Sequence, residues 1–259
     1  MREDFDEYDF EIIRKTFKDE SDRKIFEKVF DKKTIAVIHR LATKNLFNVV
    51  EHIISTGKEA HVFVASDGAG NKRAVKIYKT LASDFKNMMQ YIEGDFRFKN
   101  VKKDKLSLVY AWAKKEHKNL SLAAAAGLSV PLPVGVRDNV LVMEFIGKEK
   151  AAPALRETKP LQKELENYYE QTIEFMAGLY NTGLVHADLS EYNILVWNKR
   201  LVFIDMGQAV LLSHPRAREF FERDARNMSD YFTKNGFKKT FEELYADVKS
   251  RKEKKPEKR

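Results

Sequence analysis

The residues best suited to chemistry in this chain concentrate in two short strings. The first is His186-Ala187-Asp188-Leu189-Ser190-Glu191-Tyr192-Asn193. An Asp and an Asn five residues apart in a polar loop can divide the work of phosphoryl transfer. The carboxylate orients a nucleophile and accepts its proton, while the amide oxygen ligates a metal. The second string is Ile204-Asp205-Met206-Gly207, with Asp205 twelve residues after Asn193. Between them, Ile194–Trp197 and Leu201–Ile204 read as strands turning at Asn198-Lys199. That hairpin returns Asp205 beside Asn193, so one Mg²⁺ can take an oxygen from each and complete its shell from phosphates.

The phosphate end is expected in the N-terminal half. Ser55-Thr56-Gly57-Lys58-Glu59-Ala60 falls between two strands, where small residues permit close approach of the backbone to phosphates. It is not a Walker loop, because Glu59 follows Gly57-Lys58 and His52 occupies the first glycine position. Lys76, in Ala74-Val75-Lys76, is placed to pair the α- and β-phosphates. Glu116 shares a helix face with Trp112, Ala113, Leu120 and Ala123. An acid inside an apolar stripe is costly unless partnered. Lys76 is the expected partner, with Glu93 as a weaker competitor. The apolar strand Leu141–Phe145 leads into Ile146-Gly147, so Met143 and the main chain of Glu144 and Ile146 are expected to receive an adenine. His186 reads as a core histidine that orients the loop. Together these strings fit the motif set of protein kinases, with Met206 in place of Phe and only the middle glycine of the phosphate loop kept.

Composition removes other chemistries. The chain has no Cys, which excludes disulfides and thiolate catalysis. Its six His residues show no H-x-x-x-H spacing, which disfavours zinc, and no G-x-S-x-G elbow for a serine hydrolase occurs. The longest apolar runs are about half a membrane span, and the N-terminus is acidic rather than leader-like. A cytoplasmic protein with no membrane or DNA partner is expected. The first eleven residues carry a net charge of −5 and the last eleven +5, which leaves the whole +8 in the body between. A basic body and tail suit RNA or a ribonucleoprotein particle.

The elements that must hold these groups follow from periodicity. Helices are expected over 21–30, 34–47, 105–126 and 160–182, the last two stopped by Gly127 and Gly183. Strands are expected over 49–55, 61–65 and 73–78, then a hairpin of 134–136 with 140–145 turning at Asp138-Asn139. Residues 79–104 look charged and weakly periodic, which suggests a mobile loop. The C-terminal segments look helical, with fraying after Val248. The division expected is an N-terminal extension over 1–48, a sheet-rich lobe over 49–145, a helical lobe over 146–248 and a basic tail over 249–259. The fold class is α+β, in two lobes of protein-kinase type.

Four strings resemble the RIO kinases: Ser55 to Ala60, Tyr91-Ile92-Glu93-Gly94-Asp95-Phe96-Arg97-Phe98, His186 to Asn193, and Ile204 to Ala209. The S-T-G-K-E-A loop is similar to that of the first RIO subfamily, and the likeness runs from about residue 20 to 248. It implies an atypical serine/threonine kinase that uses ATP and Mg²⁺, or Mn²⁺ in its place. Members act in late maturation of the small ribosomal subunit. It also implies ATP turnover through phosphate passing to the metal-motif aspartate, here Asp205, as an alternative to substrate phosphorylation. Only 54 residues follow Asp205 and they contain no A-P-E string, so a reduced helical half without an ordinary activation segment is expected. Two other readings share part of the pattern. One is a small-molecule phosphotransferase of the aminoglycoside or choline type, and the other is an ATP-holding switch without turnover.

Overall fold

The computed structural model describes residues 31–80, 85–102 and 104–252, and the helix expected over 21–30 lies outside them. The chain divides into two compact units. The first holds the described residues through Asn87 together with 101–117 and 132–145; the second holds 88–100, 118–131 and the described residues from Ile146 onward.

In the first unit, helix α1 (Lys32–Ala42) begins at Asp31, whose carboxylate accepts from Thr34 N at 2.8 Å. Five antiparallel strands follow the order β1-β2-β3-β5-β4. They are β1 (Val49–Thr56), β2 (Ala60–Ser66), β3 (Lys72–Tyr78), β4 (Pro133–Arg137) and β5 (Val140–Glu144). Strand periodicity sends Phe63, Ala65, Val75, Ile77, Val140 and Val142 to the face that packs against Ile35, Ile38 and Leu41 of α1. Lys76, between two of those positions, therefore points to the other face. The β2–β3 turn is built by Asp67, which accepts from Ala69 N at 3.0 Å and Asn71 N at 2.9 Å and pairs with Arg73 at 2.8 Å. The helix expected over 34–47 stops at Ala42, because Asn45 enters the left-handed region (φ 58°) and turns the chain toward β1.

In the second unit, helices α4 (Gln162–Asn181), α5 (Ala217–Lys234) and α6 (Phe241–Lys252) pack around two small two-stranded sheets. One pairs β6 (Leu184–Val185) with β9 (Val210–Leu211), and the other pairs β7 (Ile194–Trp197) with β8 (Arg200–Phe203). The helix expected over 160–182 is α4, with an apolar stripe buried from Leu165 to Leu179, and Gly183 stops it with φ 87°. Asn198 and Lys199 both take positive φ, which is the backbone a two-residue hairpin turn requires. The intervening helix α3 (Lys105–Ala125) contributes Lys105–His117 to the first unit and the remainder to the second.

Two expectations are corrected. Residues 79–104 are not a loop throughout: helix α2 covers Phe85–Ile92 and a 3₁₀ turn covers Phe96–Phe98. A two-turn helix has little stability of its own. Burial of Met88, Tyr91 and Ile92 supplies it, with Tyr91 stacked on Phe220 at 5.1 Å between ring centroids. Nor does the chain fray at Val248. That residue is fully buried, and α6 continues to Lys252 with Arg251 paired to Glu170. No helix among the described residues is long and apolar enough to cross a membrane.

Candidate active site

The first unit carries the phosphate-facing candidates. β1 and β2 are joined by a tight connection in which Gly57 N–H donates to Ala60 O at 2.9 Å. A Cβ at Gly57 would lie 3.3 Å from that oxygen, so the turn tolerates little there. Ser55, Thr56, Gly57 and Lys58 are exposed, Glu59 is half-buried and Ala60 is buried. Lys79, which sequence reasoning missed, clamps this loop. Its Nζ donates to Gly57 O at 2.7 Å and its N–H to Glu59 O at 2.9 Å. Nothing in its local sequence marks it.

Lys76 Nζ lies 3.0 Å from Glu116 Oε1 and 2.9 Å from Oε2, so the pair meets through both oxygens. Glu116 is 1% exposed and Lys76 8%, and Trp112, Ala113, Leu120 and Ala123 of its stripe are all buried. Glu93 is exposed, and the partner of Lys76 is Glu116. At the end of β5, Glu144 N donates to Leu132 O at 2.8 Å and the Glu144 carboxylate accepts from Leu132 N at 3.1 Å. Met143 is half-buried beside them, one register position beyond the fully buried Val142. Ile146, in the second unit, accepts from Ala152 N at 2.9 Å.

The second unit carries the strings His186–Asn193 and Ile204–Gly207, which hold the catalytic and metal-ligating candidates. Asp188 Oδ2 accepts from Asn193 Nδ2 at 2.9 Å and from Gln208 Nε2 at 3.2 Å, while Asn193 Nδ2 also donates to Asp188 O at 2.8 Å. The hairpin does what its turn implied. Ile194 pairs with Phe203, and Ile204 N donates to Asn193 O at 2.9 Å, so Asp205 follows directly beside Asn193. Asp205 is held at φ 61°, a left-handed conformation costly for a non-glycine residue and typical of functional sites. His186 is buried, and its Nε2 hydrogen-bonds Ile204 O at 3.1 Å, tying the catalytic loop to the metal motif.

Three further residues brace this arrangement. Asn119 of α3 donates to Met206 O at 2.8 Å and Ala209 O at 3.0 Å, fixing the turn after Asp205. Asp224 of α5 accepts from Ala187 N at 2.8 Å and Leu189 N at 2.9 Å, gripping the N–H groups of the residues on both sides of Asp188. Arg223 donates to Ala187 O. The clue available for Asp224 and Asn119 was an isolated polar residue on an apolar helix face, a signal too common to single them out.

Burial pushes the Asp224 carboxyl up from 3.8 to about 7, against the pull of the Leu189 and Ala187 amides and Arg223. Between those two values the native state keeps a proton that the unfolded chain has released. Stability therefore falls as pH rises through this window. The expected result is that the urea midpoint of the wild type declines from pH 5 to 7.5 relative to Asp224→Asn, which lacks the titration. A difference between the two proteins that is flat or rises with pH counts against it.

The donor set fits Mg²⁺: a carboxylate and an amide oxygen on adjacent backbone, both hard ligands. Among the described residues no group of three or more His, Cys, Asp and Glu gathers into a metal cluster.

With this geometry in view, comparisons with known proteins converge. The family model of the RIO domain matches residues 61–244. The chain is 43% identical over 241 residues to the RIO-type serine/threonine-protein kinase Rio1 of Haloferax volcanii, covering 93% of this chain and 82% of that protein. It is 38% identical over 222 residues to human serine/threonine-protein kinase RIO1, covering 84% of this chain but only 39% of the human protein. Among solved structures, the Rio2 kinase–ADP/Mg²⁺–phosphoaspartate complex from Chaetomium thermophilum superposes with a TM-score of 0.66 at 22% identity, over 85% of this chain and 66% of that one. The last likeness is one of fold.

Proposed function

The chain belongs to the RIO kinase family, and from that premise we propose that it is a Mg²⁺-dependent atypical serine/threonine kinase that also turns over ATP with water. One observation carries the reading. The carboxylate of Asp188 is held by Asn193 and Gln208 while the β7–β8 hairpin sets Asp205 next to Asn193, so a base and two metal ligands share one small framework.

The roles follow from the chemistry of each group. Lys76, held by Glu116, pairs the α- and β-phosphates. The backbone of Ser55–Ala60 approaches the phosphates, and Met143 with the main chain of Glu144 and Ile146 receives the adenine. Asn193 and Asp205 would hold the metal, which when bound neutralises charge on the phosphates. Asp188 accepts the proton of the attacking hydroxyl. In the hydrolytic branch a carboxylate oxygen of Asp205 attacks the γ-phosphorus, the bond to the β-bridging oxygen breaks and ADP leaves. Water then cleaves the acyl phosphate and regenerates the carboxylate. The fold relative from Chaetomium is described as a phosphoaspartate complex, which supports this branch.

We place its action on small-ribosomal-subunit precursors in the cytoplasm. Support comes from family membership and from charge, since the basic body binds RNA phosphates by releasing counterions. The tail adds Lys254, Lys255, Lys258 and Arg259 beyond α6. Purified protein with γ-labelled ATP and Mg²⁺ is expected to release phosphate, to stop with EDTA and to respond to added small-subunit particles. Co-sedimentation over a salt series should show binding that weakens steeply with salt. Truncation after Lys252 weakens it further and flattens its slope. The cut belongs there rather than after Val248, because Arg251 pairs with Glu170 and its loss would loosen α6. If neither protein sediments with the particles at low salt, the ribosomal assignment falls while the ATP assay still judges the phosphotransfer reading.

A further inference from the structure

The string Tyr91 to Phe98 has no chemical role in the account above, yet it is built as a rigid docked element. Asp95 is 2% exposed and forms a two-pronged pair with Arg97, at 2.6 Å from Nη2 to Oδ2 and 2.9 Å from Nε to Oδ1. Gly94 takes φ 90°, and a Cβ there would meet Pro215 Cδ at 2.9 Å, so only glycine lets the segment lie this close to the start of α5. Gln90 locks the same junction. Its carbonyl is 3.0 Å from His214 Nε2, and its side-chain oxygen accepts from Arg216 Nη1 at 2.6 Å.

The docking continues toward the catalytic loop. Tyr91 stacks on Phe220 of α5, and the guanidinium of Arg223 lies over the same Phe220 ring, 5.0 Å from its centroid. Arg223 Nη2 reaches Tyr91 Oη at 3.5 Å and also donates to the carbonyl of Ala187. Ala187 precedes Asp188 and sits at φ 64°, a left-handed conformation that a residue with a Cβ does not hold unaided. Asp224 takes the N–H of the same residue and Arg223 takes its carbonyl, so Ala187 is gripped at both ends. The first of those grips comes from a buried acid on a long helix. The second comes from a partly exposed side chain whose direction is set by Tyr91 and Phe220.

We propose that Arg223 is a positioning residue for Asp188 and that the docked segment 88–98 tunes catalysis by fixing Arg223 through Tyr91. This rests on Asp188 serving in phosphoryl transfer. The segment makes no bond to the reacting groups in this scheme. Its docking sets the conformation of Ala187 and thereby the aim of the neighbouring carboxylate, where an error of about 1 Å costs on the order of 10²-fold in rate.

The test compares Tyr91→Phe, Arg223→Met and the double variant, with Asp188→Ala as reference, in kcat, KM for ATP and thermal midpoint. Arg223→Met is expected to lower kcat by roughly 10–100-fold while KM for ATP changes less than about threefold. Tyr91→Phe keeps the ring stack, removes only the hydroxyl and lowers kcat several-fold. The double variant is no slower than Arg223→Met alone, because both act through one contact. Arg223→Lys, which keeps the charge over Phe220, recovers part of the loss and substitutes if the methionine variant does not fold. The proposal is overturned if kcat is unchanged in Arg223→Met while Asp188→Ala is inactive, or if the Tyr91 and Arg223 effects simply multiply. It is also overturned if kcat and KM worsen together with a fallen midpoint. If Asp188→Ala is as fast as the wild type, the phosphotransfer reading itself has failed.

Discussion

Asp188→Ala is expected to lower ATP turnover by roughly 10²–10⁴-fold while leaving Mg²⁺-nucleotide binding near the native level. Asp205→Ala is expected to lose both. The difference follows from the role proposed for each carboxylate. Asp188 is held by two side-chain amides, Asn193 Nδ2 and Gln208 Nε2, which orient it without neutralising it. It is therefore available to accept a proton, a contribution realised in the transition state rather than in the ground state. Asp205 stands beside Asn193 through the Ile204–Asn193 backbone bond and is the only charged member of the two-residue ligand set proposed here. Removing it leaves a neutral amide to hold a divalent ion against the phosphates, which is too little. Titration with a fluorescent ATP analogue in Mg²⁺, set beside phosphate release, separates the two outcomes. Equal loss of binding in both variants would contradict the division of roles.

The second large effect concerns Lys76 and Glu116. Either single substitution, Lys76→Met or Glu116→Gln, is expected to lower kcat/KM for ATP severely, and the double variant to cost little more than the worse single. The carboxylate is almost wholly buried and meets Lys76 through both oxygens. Stripping one partner from such a pair leaves an uncompensated buried charge, a penalty of about 3–5 kcal/mol, whereas removing both leaves two groups that pack. Stability should go further than activity: the double variant melts higher than Lys76→Met alone. Strictly additive losses in both measurements would mean that the two side chains work independently.

Much of this was legible before any coordinates. The strands at 49–56, 60–66 and 72–78 follow from short runs rich in Val and Ile with turn residues between them, and both features are local. The β7–β8 hairpin was readable because Asn198-Lys199 suits a turn with two positive φ values, and once it closes, the proximity of Asp205 to Asn193 is a matter of strand register. The Lys76–Glu116 contact spans forty residues, yet it too was foreseen. A charged residue inside an apolar helical stripe must find an opposite charge, and the strand Ala74-Val75-Lys76 offered one.

What escaped the sequence shares one physical cause. Helix α2 is two turns long, and its stability comes from Tyr91 against Phe220, which lies 129 positions further along the chain, so no window of neighbouring residues contains the reason for it. The termination of α1 at Ala42 depends on Asn45 adopting a left-handed conformation as the chain enters the sheet. Lys79, Asn119 and Asp224 act on backbone groups of distant loops. A backbone amide or carbonyl looks the same at every position, so residue types carry no record of which one a side chain will meet. The sequence by itself determined which groups can do the chemistry, because motif spacing and hairpin register are short-range properties. Only the tertiary structure decided how the loops around Asp188 and Asp205 are braced, because Asn119 and Asp224 reach their main-chain atoms from distant helices.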